Sequence, residues 1–161
     1  MSTGKIGDID ELDRLILKVL ANDPRAPYSD IAEAIAEEGH EMSSEGIRYR
    51  VSKLLDQTSI FFLLSPGGHD WEIVRLAISV SDEPGAKEAA FEAVSGMPFW
   101  LVCRGVGSYD LYAAATAPSN VEVDSLLREV EELDSVVGVD YSIETQRDTN
   151  VDDYLSPEQL S

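Results

Sequence analysis

The apolar residues Ile9, Leu12, Leu15, Ile16, Val19 and Leu20 recur at helical spacing with charged residues opposite them, which predicts an amphipathic first helix. Asn22-Asp23-Pro24 breaks it. A shorter helix is expected after Pro27, with Ser29 as its N-cap and Ile31, Ala32, Ile35 and Ala36 on one face, ending near Gly39. A third helix starts after Ser43, whose hydroxyl suits the free amides of a first turn, and turns Ile47, Val51, Leu54 and Leu55 inward. Ile60 to Leu64 reads as a short apolar strand, and Pro66-Gly67-Gly68 is the clearest hinge in the chain.

Past the hinge the period becomes two. Val74, Leu76, Ile78 and Val80 alternate with Ile73, Arg75, Ala77 and Ser79, as in a strand with one buried face. Pro84 suits a first helical position, and Ala86, Ala89, Ala90, Ala93 and Val94 carry a helix to Gly96. Two strands, Phe99 to Arg104 and Leu111 to Thr116, flank a tight turn over residues 105–110. Val123, Leu126, Leu127, Val130 and Leu133 mark another helix, and Val137, Val139, Tyr141 and Ile143 a last strand. The order βαββαβ is that of a ferredoxin-like sheet with both helices on one face. The other face is expected to expose apolar side chains and to need a partner subunit. The polar residues after Arg147 read as a loosely held tail. The fold class is therefore α+β, with a helix-turn-helix unit over residues 1–66 and a ferredoxin-like domain with an acidic tail over 67–161.

Charge sharpens this picture. The net charge is −19, from 31 acidic and 12 basic residues, and 19 of the acids lie after Pro66 against 5 basic residues there. That is the wrong sign for a polyanion partner, and acids spread over every helix look like a surface adapted to concentrated salt, where self-repulsion is screened. A melting temperature that does not rise with KCl would remove this idea. The opening segment lacks a secretory core and no stretch is long and apolar enough to span a membrane, so a cytoplasmic location is expected. Cys103 sits beside an apolar run and reads as a buried, inert thiol.

The third helix inverts the charge rule. Arg48, Arg50 and Lys53 fall within residues 48–53 with no acid among them, and Glu45, Tyr49, Ser52 and Lys53 lie on the arc opposite the apolar stripe, flanked by Arg48 and Arg50. With Ser43 and Ser44 at its start, such a face can enter a major groove of double-stranded DNA, its Arg, Lys, Ser and Tyr meeting bases or phosphates and Glu45 accepting from cytosine. The plainer reading is a basic cluster that offsets nearby acids. The three-helix context favours DNA.

Two segments carry a family resemblance. Residues 9–25, IDELDRLILKVLANDPR, and residues 42–54, MSSEGIRYRVSKL, resemble the opening helix and recognition helix of the Lrp/AsnC regulators. Gly107-Ser108-Tyr109-Asp110 is similar to that family's Gly-x-Tyr-Asp hairpin, and Val137-Gly138-Val139 to its last strand entry. The resemblance implies a winged helix-turn-helix joined to an amino-acid-sensing domain. It also implies a homodimer or higher homo-oligomer, with a small-molecule effector bound near Gly107, Ser108, Tyr109 and Asp110. The chain departs from the family at the acidic link Glu37–Glu41, at Thr58 in place of a glycine, and at Glu144 in place of a threonine. Tyr109 and Asp110 equally suit plain turn chemistry. His40 and His69 lack partners at metal spacing, and neither a phosphate loop nor a nucleophile set is present, so no metal, no cofactor and no enzymatic activity are expected. A sensor or interaction module that has lost DNA binding is the second reading.

Overall fold

The first three helices, α1 (Glu11–Asn22), α2 (Tyr28–Glu37) and α3 (Ser44–Gln57), enclose Ile16, Ile31, Ile35, Ile47, Val51 and Leu54. These are the inward positions of the helical stripes, and burying each stabilises the unit by roughly 2 kcal/mol. The computed structural model describes residues 9–65 and 70–155, so the Pro66-Gly67-Gly68 hinge and His69 lie outside the described residues. Two units separate: residues up to Phe62 together with those from Asp148 onward, and Leu63–Arg147.

Local boundaries follow the cap chemistry. Asp10 closes a capping box on α1: its Oδ1 accepts from the Asp13 amide at 2.9 Å, and its own amide donates to Asp13 Oδ2 at 3.2 Å. The N-cap of α2 is Pro27, extended at ψ 154°, and not Ser29, which lies inside the helix with its hydroxyl on Asp30. After α2 the Gly39 amide donates to Ala36 O and the His40 amide to Ile35 O, with Gly39 at φ 84°. That Schellman closure needs a left-handed residue, which glycine supplies at no steric cost. The acidic link is thus an ordered helix stop.

In the second unit β1 (Glu72–Val80), β2 (Leu101–Arg104), β3 (Leu111–Ala117) and β4 (Val136–Ile143) form an antiparallel sheet in the order β2-β3-β1-β4. Helices α4 (Ala86–Ser95) and α5 (Asn120–Glu131) bury Ala90, Val94, Val123 and Val130 against Val74, Leu76, Ile78 and Leu111. The βαββαβ expectation holds in element order and in the placement of both helices. Gly85 at φ 84° is the N-cap of α4, which leaves Pro84 in the preceding turn. The register puts Arg75, Ala77, Ser79, Tyr112, Ala114, Asp140 and Ser142 on the face that α4 and α5 do not cover. Ile73, Leu101 and Cys103 share it, so that face mixes apolar with polar side chains where an apolar one was expected.

Three further expectations change. Residues 60–64 belong to no strand; Ile60, Phe61, Phe62, Leu63 and Leu64 are exposed, and Phe62 is 85% accessible. A lone strand satisfies its backbone only by pairing, and among the described residues the four strands pair with one another, so no wing forms. Cys103 is exposed, because β2 is an edge strand and Cys103 stands opposite Tyr112 on the uncovered side. The segment after Arg147 is not loose: α6 (Val151–Leu155) forms and packs on α1.

Candidate nucleic-acid interface and hairpin site

On α3 the Ser43 hydroxyl accepts from the Gly46 amide at 3.2 Å, fixing the helix start. Ile47, Val51 and Leu54 face the core, so Ser44, Glu45, Arg48, Tyr49, Ser52 and Lys53 are left on the outside, all exposed, with Tyr49 72% accessible. The structure therefore brings together six of the eight residues read from the sequence. Ser43 serves as a cap. At the other end the Thr58 hydroxyl donates to Leu54 O at 2.9 Å, closing the last turn.

Arg50 is a correction. Its Nη1 donates to Asp10 Oδ2 and to Asp13 Oδ1, both at 2.7 Å, and Asp13 is the buried charged residue of this core. Hydrogen bonds to Asp10 and then Asp13 hold the Arg50 guanidinium above its ordinary pKa. Burial pulls the Asp10 carboxyl upward, but the Asp13 amide and Arg50 outweigh it and leave Asp10 below its ordinary value. The side chain expected to face a duplex instead bolts α3 to the start of α1. Two aspartates at i and i+3 that already cap a helix are short of a counter-charge, and that is the signal which could have identified the bolt.

The hairpin over residues 105–110 is likewise tied down. Gly107 sits at φ 144°, and the Gly105 amide donates to Asp110 O at 2.9 Å. Asp110 Oδ2 accepts from the Val80 amide at 2.8 Å while Oδ1 meets Lys87 Nζ at 2.6 Å. The Lys87 partnership and then the Val80 amide hold Asp110 below the usual carboxylate range, and the same pairing raises Lys87. Tyr109 lies edge-on to Tyr112, centroids 6.1 Å apart, and its hydroxyl donates to Asp140 Oδ2 at 2.7 Å. Because Tyr112, Ala77 and Asp140 are successive partners across β3, β1 and β4, Tyr109 bridges the uncovered face over small Ala77. That bond to Asp140 raises the Tyr109 pKa. Gly107 and Ser108 are exposed at the tip. Lys87 and Asp140 were not legible as site residues, since their partners lie 23 and more positions away in the chain.

Among the described residues no group of His, Cys, Asp and Glu is arranged to hold a metal, and no helix is long and apolar enough to cross a membrane.

Residues 9–55 match the AsnC-type helix-turn-helix domain. An uncharacterized HTH-type transcriptional regulator of Pyrococcus horikoshii is 28% identical over 143 residues, covering 86% of this chain and 87% of that protein. The structure of Escherichia coli AsnC superposes with a TM-score of 0.63 at 21% identity, over 89% of this chain and 96% of its own. A transcriptional regulator of Neisseria meningitidis, solved as a complex with L-methionine, gives a TM-score of 0.64 at 20% identity, over 89% and 94%. Residues 9–55 thus match the AsnC-type helix-turn-helix domain, and the chain as a whole shares the fold of these solved structures.

Proposed function

We propose that the protein is a sequence-specific DNA-binding transcriptional regulator that works as a homodimer or higher oligomer and responds to an amino acid. The outer face of α3 carries this reading. Arg48 and Lys53 stand there without an ion-pair partner among the described residues, beside the exposed Tyr49 ring, while Arg50 fixes the helix from behind. A rigid helix presenting two cations and an aromatic ring suits major-groove entry, with phosphate neutralised by the cations and base edges met by Tyr49, Ser52 and Glu45. In a molecule of net charge −19 the acids must point elsewhere, and in concentrated salt counterion release is weak, so base contacts carry more of the affinity. Selection of bound duplexes in high salt tests it. An enriched site with half-sites about 34 Å or a multiple apart is expected; no enriched motif would remove the reading.

Oligomerisation is supported by the exposed run Ile60 to Leu64, five large apolar residues that a monomer leaves in water. The effector reading rests on the likeness to the methionine-bound Neisseria regulator and on the hairpin, where Ser108 is exposed and Tyr109, Asp110 and Asp140 offer polar groups. Thermal shift across the amino acids tests it, since a ligand held only by the native state raises Tm. The sensor module without DNA binding is favoured by one observation, the acidic Glu37, Glu38 and Glu41 beside the reading helix. It predicts a thermal shift without an enriched DNA motif.

A further inference from the structure

The helical unit is discontinuous in sequence. The chain leaves it after Phe62, builds the sheet unit over Leu63–Arg147, and returns at Asp148. We infer that residues 144–155 are a second tether of the helix-turn-helix unit, made of an ionic staple at Arg147 and an apolar plug at α6.

The staple sits at the two ends of the sheet unit. Arg147 Nη1 donates to the carbonyl of Leu64 at 3.1 Å, across 83 positions of sequence. Glu144 holds Arg147 in place; its side chain is only 9% exposed and it also receives Arg75, through Nε at 2.9 Å and Nη2 at 2.8 Å. The Glu144 amide donates to Ile73 O at 2.8 Å, which anchors the carboxylate to the start of β1. A carboxylate buried between two guanidiniums pairs with both by charge, hydrogen-bonded to Arg75 and ion-paired with Arg147, so the outgoing chain is fastened to the incoming one. Inserted domains are tolerated where their ends lie close together, and this bond keeps them close.

The plug is α6. Five residues cannot hold a helix by themselves, so its order comes from what it touches. Asn150 caps it, accepting from the Asp152 amide at 3.0 Å. Val151 and Leu155, one turn apart on one face, are half-buried while Tyr154 is 83% accessible, and the helix packs on α1 with Lys18 Nζ 3.5 Å from Asp152. Such an exposed ion pair adds little, so Val151 and Leu155 are the anchors. Since α1 carries Asp10 and Asp13, which hold Arg50 of α3, the tail supports the element that positions the reading helix.

Hydrogen exchange on the full-length protein tests the plug. In the double variant Val151→Asp with Leu155→Asp, amides of residues 15–22 should exchange at least about fivefold faster, while those of α4, α5 and β1 keep the wild-type rate. The milder Leu155→Ala should give the same pattern at about twofold, which guards against a misfolded double variant. Unchanged exchange in α1 for both variants would overturn the plug. For the staple, Arg147→Ala and Glu144→Gln should each speed chymotryptic cleavage after Phe61 to Leu64 about threefold or more. Cleavage at the wild-type rate in both would overturn it.

Discussion

The outer face of α3 and the β2–β3 hairpin treat their polar groups in opposite ways. On α3 the cations Arg48 and Lys53 have no ion-pair partner among the described residues, whereas at the hairpin Tyr109 is bound to Asp140 and Asp110 to Lys87 and the Val80 amide. The first leaves its side chains exposed on a helix that Arg50 and Ser43 fix from behind and at its start. The second is closed on itself, so a ligand there must replace bonds already made. Affinity at such a site is reduced by the fraction of molecules that are open, and any change that opens it raises that affinity.

The sharpest way to break the comparison is Arg50→Ala. It leaves Asp13 buried beside Asp10 without its Arg50 partner, and losing two charge-assisted bonds should cost roughly 2 kcal/mol. For a unit this small that is a fall in Tm of roughly 10 °C. The pH dependence identifies the cause. Asp10 lies below its ordinary value of 3.8, so its stabilisation is full above that value and is lost as pH falls through the lower folded pKa. The Tm gap between wild type and Arg50→Ala should therefore shrink as pH drops below about 4. A constant gap would mean that Arg50 acts by packing alone.

On the outer face the expected effects are on binding and not on folding. Arg48→Ala, Tyr49→Ala and Lys53→Ala should each keep the wild-type Tm, since these side chains are exposed, and weaken binding to the selected duplex about tenfold. Lys53→Ala should also lower the salt dependence of binding by about one phosphate contact, whereas Tyr49→Ala should change which sequences are preferred. Titration of the selected site over a range of KCl reads both. If all three variants bind as wild type does, the two regions differ in exposure only and the DNA reading fails.

The hairpin gives a smaller effect. Asp110→Ala frees the Val80 amide and Lys87 together, loosening the attachment of the hairpin to β1 and α4. Its Tm should fall, but by less than that of Arg50→Ala, because the Lys87 ammonium is half-exposed and is solvated once freed. Asp110→Asn keeps an acceptor for the Val80 amide and should recover part of the loss. Equal falls for Ala and Asn would assign the whole effect to Lys87.

What could be read from the sequence follows from how far apart the interacting residues lie. Ile47, Val51 and Leu54 declare the inner side of α3 at once, because a helical period needs neighbours only three and four positions away. The same short range made Arg50 look like a flank of the outer arc, since its partners lie 37 and 40 positions earlier. Val74, Leu76 and Ile78 announced a strand with one buried face, yet alternation alone could not say that Cys103 would stand on an edge. The run at 60–64 shows the converse failure: strand composition without a strand, because pairing is a property of two segments. Val151 and Leu155 were too few to reveal a helix that packs on α1.

The finest test of the contrast is Tyr109→Phe. It removes one hydroxyl whose only described partner is Asp140 and keeps the ring edge-on to Tyr112, so Tm should stay within error of wild type. Deleting the bond leaves Asp140 able to receive an ammonium group without displacing anything first. If the hairpin is a closed form of the effector site, the variant should bind the amino acid found by thermal shift a few times more tightly. Tighter binding in Tyr109→Phe with weaker binding in Asp140→Ala would show that the tyrosine competes with the ligand for the same carboxylate. Weaker binding in both would instead make the hydroxyl a direct contact of the ligand, and the hairpin would then resemble the α3 face, with groups held out for a partner.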